Sequence, residues 1–299
     1  MKKIKLFICL FISVFMMTSC YEDYIYDYKY SAAYFASQKP LRTVIADRNM
    51  TIDVGVAIGG KREVNMKDWA EFKIDETLLE GTGLTLLPSK YYVLSDETTM
   101  RVSKKTLPIA DVTISFTDEF YNDKETVKKH YALPFRIIAS SLDSILVGQE
   151  TSIVAIKYIS TYHGTYYIKG SVVEVDVEGN ELGSPVIYNN ADLSKNETRN
   201  LSTLSKRVMQ REGLANLKIG TANEKLNITF NEDGTLLLTT ADGGLEISNA
   251  SGSYMYDEND VLTLSLKYTY EKNGKYYNVE ETLIRRQDPL KDLRFEEWN

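Results

Sequence analysis

Cysteine and histidine are nearly missing from this sequence of 299 residues, which holds two of each. Cys9 and Cys20 both lie at the start, so no internal disulfide is available to the rest of the chain, and its stability must come from a hydrophobic core. His130 and His163 stand far apart with no thiol to join them, which argues against a metal centre and leaves serine-type hydrolysis without a placed base. No Gly-rich phosphate loop is present: Gly55, Gly59 and Gly60 belong to a strand and its turn, with no helix following. No block of basic residues occurs, and the formal charge is −7. That balance argues against nucleic acid as a partner. After residue 20 there is no apolar run approaching the roughly 20 residues a membrane helix needs. No cofactor, metal or catalytic residue is expected.

The first residues are different in kind. Lys2, Lys3 and Lys5 precede an apolar run from Leu6 to Met17, interrupted only by Ser13, and Thr18-Ser19-Cys20 follows directly. A basic start, a short apolar stretch and a small residue before cysteine spell a lipoprotein signal, residues 1–19, cut so that Cys20 becomes the lipidated N-terminus. Met17 stands where such signals usually carry Leu. Each buried methylene of an acyl chain contributes about 0.8 kcal/mol, so several chains hold a folded protein at a membrane. Without the three signal lysines, 32 basic residues face 42 acidic ones, a net of −10. The lipid on Cys20 is therefore the expected membrane contact. Residues 20–31, with Tyr21, Tyr24, Tyr26, Tyr28 and Tyr30 among acids, read as a tether.

Beyond the tether the pattern is β almost throughout. Ile52, Val54, Val56 and Ile58 alternate, as do Val112, Ile114 and Phe116, while Pro134 within Tyr131 to Ala139 suits an edge strand or bulge. A helical turn fits within Lys67 to Leu79, and Ser152 to Ile159 closes this set. Short strands at such spacing predict an immunoglobulin-like β-sandwich over residues 32–159. From residue 160 to 299 the strands lengthen and are joined by tight turns at Glu178-Gly179-Asn180, Asn231 to Gly234, Asp257 to Asp260 and Asn273-Gly274. Asn-Gly favours the type I′ turn of a hairpin. Leu262, Leu264, Leu266, Tyr268 and Tyr270 share one strand face before it. Successive hairpins predict an antiparallel meander closed into a lipocalin-like (calycin-type) β-barrel, with a helix over Thr203 to Leu214 capping one end. The predicted class is all-β.

Two kinds of side chain could carry function. A carboxylate pair would serve glycoside hydrolysis, and Glu281 shares a strand face with Tyr277, Val279 and Leu283, although a rim position with the acid in water is the preferred reading. Aromatic rings could stack on the apolar faces of sugars. The 21 tyrosines include the tandem pairs Tyr91-Tyr92, Tyr166-Tyr167 and Tyr276-Tyr277, each placing one ring on either sheet face. Trp69, beside Asp68, and Trp298, beside Glu297, are expected to be the most exposed rings. Trp69, Trp298, Tyr91, Tyr166 and Tyr276 are the candidate glycan-binding residues.

Leu86 to Leu94 (LLPSKYYVL), Asp111 to Thr117, and Tyr131 to Ile138 followed by Ser141 to Leu146 together resemble the N-terminal domain of Bacteroides-type lipoproteins that also precedes some family 18 glycosidase modules. Tyr162 to Tyr167, Asn231 to Gly234 and Ala250 to Tyr254 resemble its usual C-terminal partner domain. Glu22 and Asp23, directly after the cysteine, resemble the surface-export signals of such lipoproteins. The resemblance implies an outer-membrane lipoprotein facing the cell exterior in a glycan-utilisation system. It would bind polysaccharide or glycoprotein glycan, or support an outer-membrane transporter and its lid lipoprotein. The glycosidase module is missing, so catalysis is not implied. A structural or adhesin lipoprotein with a protein partner, and a carboxylate-pair hydrolase, are the alternatives.

Overall fold

Strict alternation of apolar and polar residues builds both halves of the molecule. A computed structural model describes residues 30–61, 63–217 and 223–299; the signal segment, Cys20 and most of the tether lie outside these residues. The first eleven strands are β1 (Ala32–Tyr34), β2 (Pro40–Ile45), β3 (Thr51–Gly59), β4 (Trp69–Ile74), β5 (Thr85–Leu86), β6 (Tyr92–Leu94), β7 (Thr99–Val102), β8 (Ile109–Phe116), β9 (Tyr131–Ser140), β10 (Ser144–Ile145) and β11 (Thr151–Ile159). They pair in the order β10-β1-β3-β8-β7-β4-β9-β11-β2, a mixed sheet whose two halves, joined through β7, form two layers. The two layers share one core. Ile52, Val54, Val56, Val112 and Ile114 from one meet Phe72, Leu133, Phe135, Val154 and Ile156 from the other.

Pro134 does not mark an edge, because β9 pairs with β4 and β5 on one side and β11 on the other. The Pro134 carbonyl accepts from Asp75 N–H at 2.9 Å, just beyond the end of β4, while β5 begins its pairing at Tyr131 and Ala132. The donor that proline lacks would point into the gap between those two partners, so no ladder bond is lost.

The remaining strands are β12 (Gly164–Val175), β13 (Val186–Tyr188), β14 (Thr198–Thr203), β15 (Val208–Glu212), β16 (Lys225–Phe230), β17 (Thr235–Thr240), β18 (Ile247–Tyr256), β19 (Leu262–Lys272), β20 (Lys275–Arg285) and β21 (Glu296–Glu297). Strands β12 and β14 to β20 close into an eight-stranded antiparallel barrel through ten residue pairs between β12 and β20. Asn273 and Gly274 both adopt positive φ, 55° and 74°, as a type I′ turn demands. The expected face of β19, Leu262 through Tyr270, points inward and is buried.

Thr203 to Leu214 is not a helix. It is the hairpin joining β14 to β15, with Leu204 N–H donating to the Val208 carbonyl at 2.9 Å. The alternation there was masked because one of the two inward residues of β15, Met209 and Arg211, is charged. A second departure concerns the tail. Glu296 and Glu297 pair with Leu41 and Pro40, so residues expected to belong to the barrel form the last strand of the first sheet.

Candidate functional site

The inside of the barrel is occupied by its own side chains. Tyr166, Ile168, Leu201, Met209, Leu226, Ile228, Phe230, Leu238, Leu264 and Leu283 form one buried cluster. Among them sits a charged pair. Arg211 of β15 reaches across to Glu281 of β20: one guanidinium nitrogen bonds Glu281 Oε1, and the other donates to Oε2 at 3.1 Å. The Tyr268 hydroxyl donates to Oε1 at 2.8 Å and the Tyr188 hydroxyl to Oε2 at 3.2 Å. Tyr268 also accepts from Ala215 N–H at 3.0 Å. Burial alone would lower the Arg211 pKa, but the adjacent Glu281 charge outweighs it and raises it. Burial, and then the Glu281 carboxylate, push the Tyr268 and Tyr188 hydroxyls well above the usual phenol range, so both remain donors.

Glu281 is therefore not a solvated rim acid. Its opposite neighbour on β12 is Gly170, where a Cβ would lie 2.3 Å from the Glu280 carbonyl and 2.6 Å from Glu281 Cβ. The glycine lets β12 and β20 approach closely beside the charge. With both oxygens bonded to Arg211 and tyrosines, Glu281 has no geometry for proton transfer to a substrate.

The aromatic candidates are mostly structural. Trp298 is 5% exposed, packs among Leu79, Leu84, Ala132 and Ala155, and donates its indole N–H to the Ile153 carbonyl at 2.7 Å. The expectation of an exposed ring fails because an indole gains most by burying its apolar body where its one donor is satisfied. Tyr91 is buried, its hydroxyl donating to Asp123 at 2.9 Å, and Tyr166 is wholly buried, donating to the Tyr162 carbonyl at 2.7 Å. Trp69 is half-buried in β4, where its backbone N–H donates to Ser141 Oγ at 3.0 Å. Tyr276, also half-buried, does line a polar concavity of about 570 Å³, with Asn249, Lys267 and Asn278. The five candidates are thus not brought together.

A different cleft, of about 630 Å³, opens where the barrel meets the first sheet. The turn between β18 and β19 supplies Asn259 and Asp260, the end of β20 supplies Arg285 and Arg286, the next segment supplies Gln287, Asp288 and Lys291, and the turn between β2 and β3 supplies Arg48. Tyr256 stands at its wall, 43% exposed, with the Arg285 guanidinium over its ring at 5.6 Å from the centroid. Arg285 is almost fully enclosed: it donates to the Thr161 carbonyl at 3.2 Å and the Asp260 carbonyl at 3.3 Å, and lies 3.6 Å from Asp288. Asp288 also pairs with Arg48 across the junction and caps the short helix Pro289–Asp292 by accepting from Leu290 N–H at 2.8 Å. Partial burial works against ionising Asp288, yet the bonds from Arg48 and Leu290 hold its carboxyl below the usual range. Partial burial raises the Tyr256 phenol against the opposing pull of Arg285 and Arg48.

No curated protein matches the sequence. A family model described as a "-like, N-terminal domain" matches residues 26–144. That range holds Leu86 to Leu94, Asp111 to Thr117 and Tyr131 to Ile138, three of the segments that carry the resemblance above. Known structures from Bacteroides are similar to this chain to differing degrees. One protein of unknown function from Bacteroides ovatus is 21% identical with a TM-score of 0.72, over 86% of this chain and 95% of that one. An auxiliary nutrient binding protein from Bacteroides thetaiotaomicron is 14% identical with a TM-score of 0.41, over 86% and 95%. The likeness to the first of these shows a shared fold and says nothing of a shared ligand.

The cleft was missed in the sequence although a sign of it is there. Arg285-Arg286 is a dibasic step in an acidic chain, placed at the end of a long strand and before Asp288-Pro289. Arg48, its partner from the other sheet, lies more than two hundred residues earlier, and no pattern along the chain joins the two.

Proposed function

We propose that this chain is a lipoprotein of the outer-membrane surface, anchored through Cys20, that binds polysaccharide or glycoprotein glycan in the junction cleft without turning it over. The observation that carries the reading is Tyr256: a half-open ring, fixed by Arg285 beneath it, in a cleft also lined by Asn259, Gln287, Asp288 and the cations Arg48, Arg286 and Lys291. Sugars are recognised in this manner, by an aromatic face against their C–H surface and polar groups around their hydroxyls. The commitment of Glu281 to Arg211 removes the carboxylate that suggested a hydrolase.

Affinity electrophoresis of the mature protein through a panel of polysaccharides tests the binding. Retardation by at least one glycan, abolished in Tyr256→Ala and without release of reducing ends, is the expected result. Passage unretarded through every glycan, with a native circular-dichroism spectrum, would defeat it. The anchor is tested separately: labelled palmitate is incorporated into the wild type and not into Cys20→Ala.

A second reading, a structural or adhesin lipoprotein docking a protein such as the transporter or its lid, is favoured by one feature. Val177, Leu182, Val186 and Ile187 stand exposed on the segment that runs from β12 into β13, Val177 at 76%.

A further inference from the structure

The charges in the junction cleft run against those of the whole molecule. The chain is acidic, yet four cations, Arg48, Arg285, Arg286 and Lys291, line the cleft against two carboxylates, Asp260 and Asp288. Asp288 is already engaged by Arg48, Arg285 and the Leu290 N–H. Arg285 is turned inward, held by two carbonyls, so it acts as a fixed positive wall behind the Tyr256 ring. Arg286 and Lys291 are exposed at the mouth and make no ion pair among the described residues. A positive excess that persists inside an acidic protein favours an anion, and it does so most where walls of low dielectric surround it.

We infer that the occupant of the cleft is an acidic saccharide, one bearing a carboxylate or sulfate group, with its ring on Tyr256 and its anion between Arg286 and Lys291. This rests on the glycan-binding reading and narrows it to a chemical class. A guanidinium presents paired donors that match a carboxylate or sulfate, and hydrogen bonds between opposite charges are about twice as strong as neutral ones. The aromatic platform argues for a sugar over a simple inorganic anion, which has no apolar face to stack. Nucleic acid would also bring anions and stacking rings, but among the described residues Tyr256 is the one aromatic ring lining the cleft, which gives no row of platforms for successive bases.

The mature protein is run through gels containing polygalacturonate, heparin, dextran or single-stranded DNA. Retardation by polygalacturonate or heparin, and weakly or not at all by dextran, is expected. It should fade as salt rises from about 0.1 M to about 1 M, where the screening length falls from ~10 Å to ~3 Å. The double variant Arg286→Ala, Lys291→Ala should bind the acidic glycan at least about tenfold more weakly, since each lost bond to a charged group is worth a factor of that order. Both side chains are exposed, so folding should be unaffected, which circular dichroism checks. Equal retardation by dextran, lost in Tyr256→Ala, would overturn the acidic preference and leave glycan binding standing. Retardation by no glycan would overturn both. Equal retardation by DNA, or an unweakened double variant, would overturn the inference by showing a general polyanion surface or a site elsewhere.

Discussion

The barrel interior and the junction cleft are made from the same residue types, with opposite outcomes. In the barrel, Arg211, Glu281 and Tyr268 are shut away from water, half-buried Tyr188 of β13 closes over them, and each Glu281 oxygen has two partners. In the cleft, Arg285, Asp288 and Tyr256 are tied at the back, while Arg286, Lys291 and the outer part of the tyrosine ring face solvent. The Glu281 carboxylate is saturated and the cluster is closed to solvent, so although Arg211 Nε lacks a partner no ligand can reach it, and the cluster is architecture. An unsaturated one at an open surface still has bonds to offer, and that difference separates the two sites more clearly than composition does.

The contrast can be broken most forcefully in the barrel. Glu281→Ala leaves Arg211 buried and unpaired, and should lower stability by about 3–5 kcal/mol in urea unfolding. Replacing Arg211 and Glu281 together by Met and Leu should recover most of that loss; if it does not, the pair has a role besides satisfying itself. Gly170→Ala forces β12 and β20 apart beside Glu281, with an expected loss of about 1–3 kcal/mol from overpacking. In the cleft the effects shrink. Asp288→Asn should cost about 1 kcal/mol or less, because its pair with Arg48 is partly exposed. The folded-state pKa of Asp288 is depressed, so its contribution is complete above the ordinary Asp value of about 3.9 and is lost as the pH falls through the folded value. The melting temperatures of wild type and variant should therefore converge in acid. Tyr256→Ala should change stability least, within about 0.5 kcal/mol, while removing glycan retardation. A large loss of stability there would move Tyr256 to the structural side of the contrast.

The parts of the fold that could be read in advance are those where one local rule acts alone. Ile52 to Ile58 and Leu262 to Tyr270 follow a two-residue period on a half-buried sheet, and Asn273-Gly274 follows from the backbone of a tight hairpin. Errors arose where tertiary structure supplied a partner. Arg211 broke the apolar alternation of β15 because its charge is answered by Glu281, on a distant strand. Pro134 looked misplaced because the gap between β4 and β5 is invisible along the chain. The tryptophan and tyrosine candidates stand out in the sequence as rings able to stack on sugars, and the single polar group each carries lets Trp298, Tyr91 and Tyr166 be buried with a hydrogen bond instead. The cleft depends on Arg48 meeting Asp288 across 240 positions, a distance over which composition and periodicity carry no signal.

The pairing of β21 with β2 means that the polypeptide travels between the two sheets twice, outward through Ser160 to His163 and back through Arg286 to Arg294. A lone connector would act as a swivel. Two connectors work as a pair of straps and resist torsion, so the mouth framed by Arg48 and Arg286 keeps its width before anything enters. Little freedom then remains to be surrendered when it is filled.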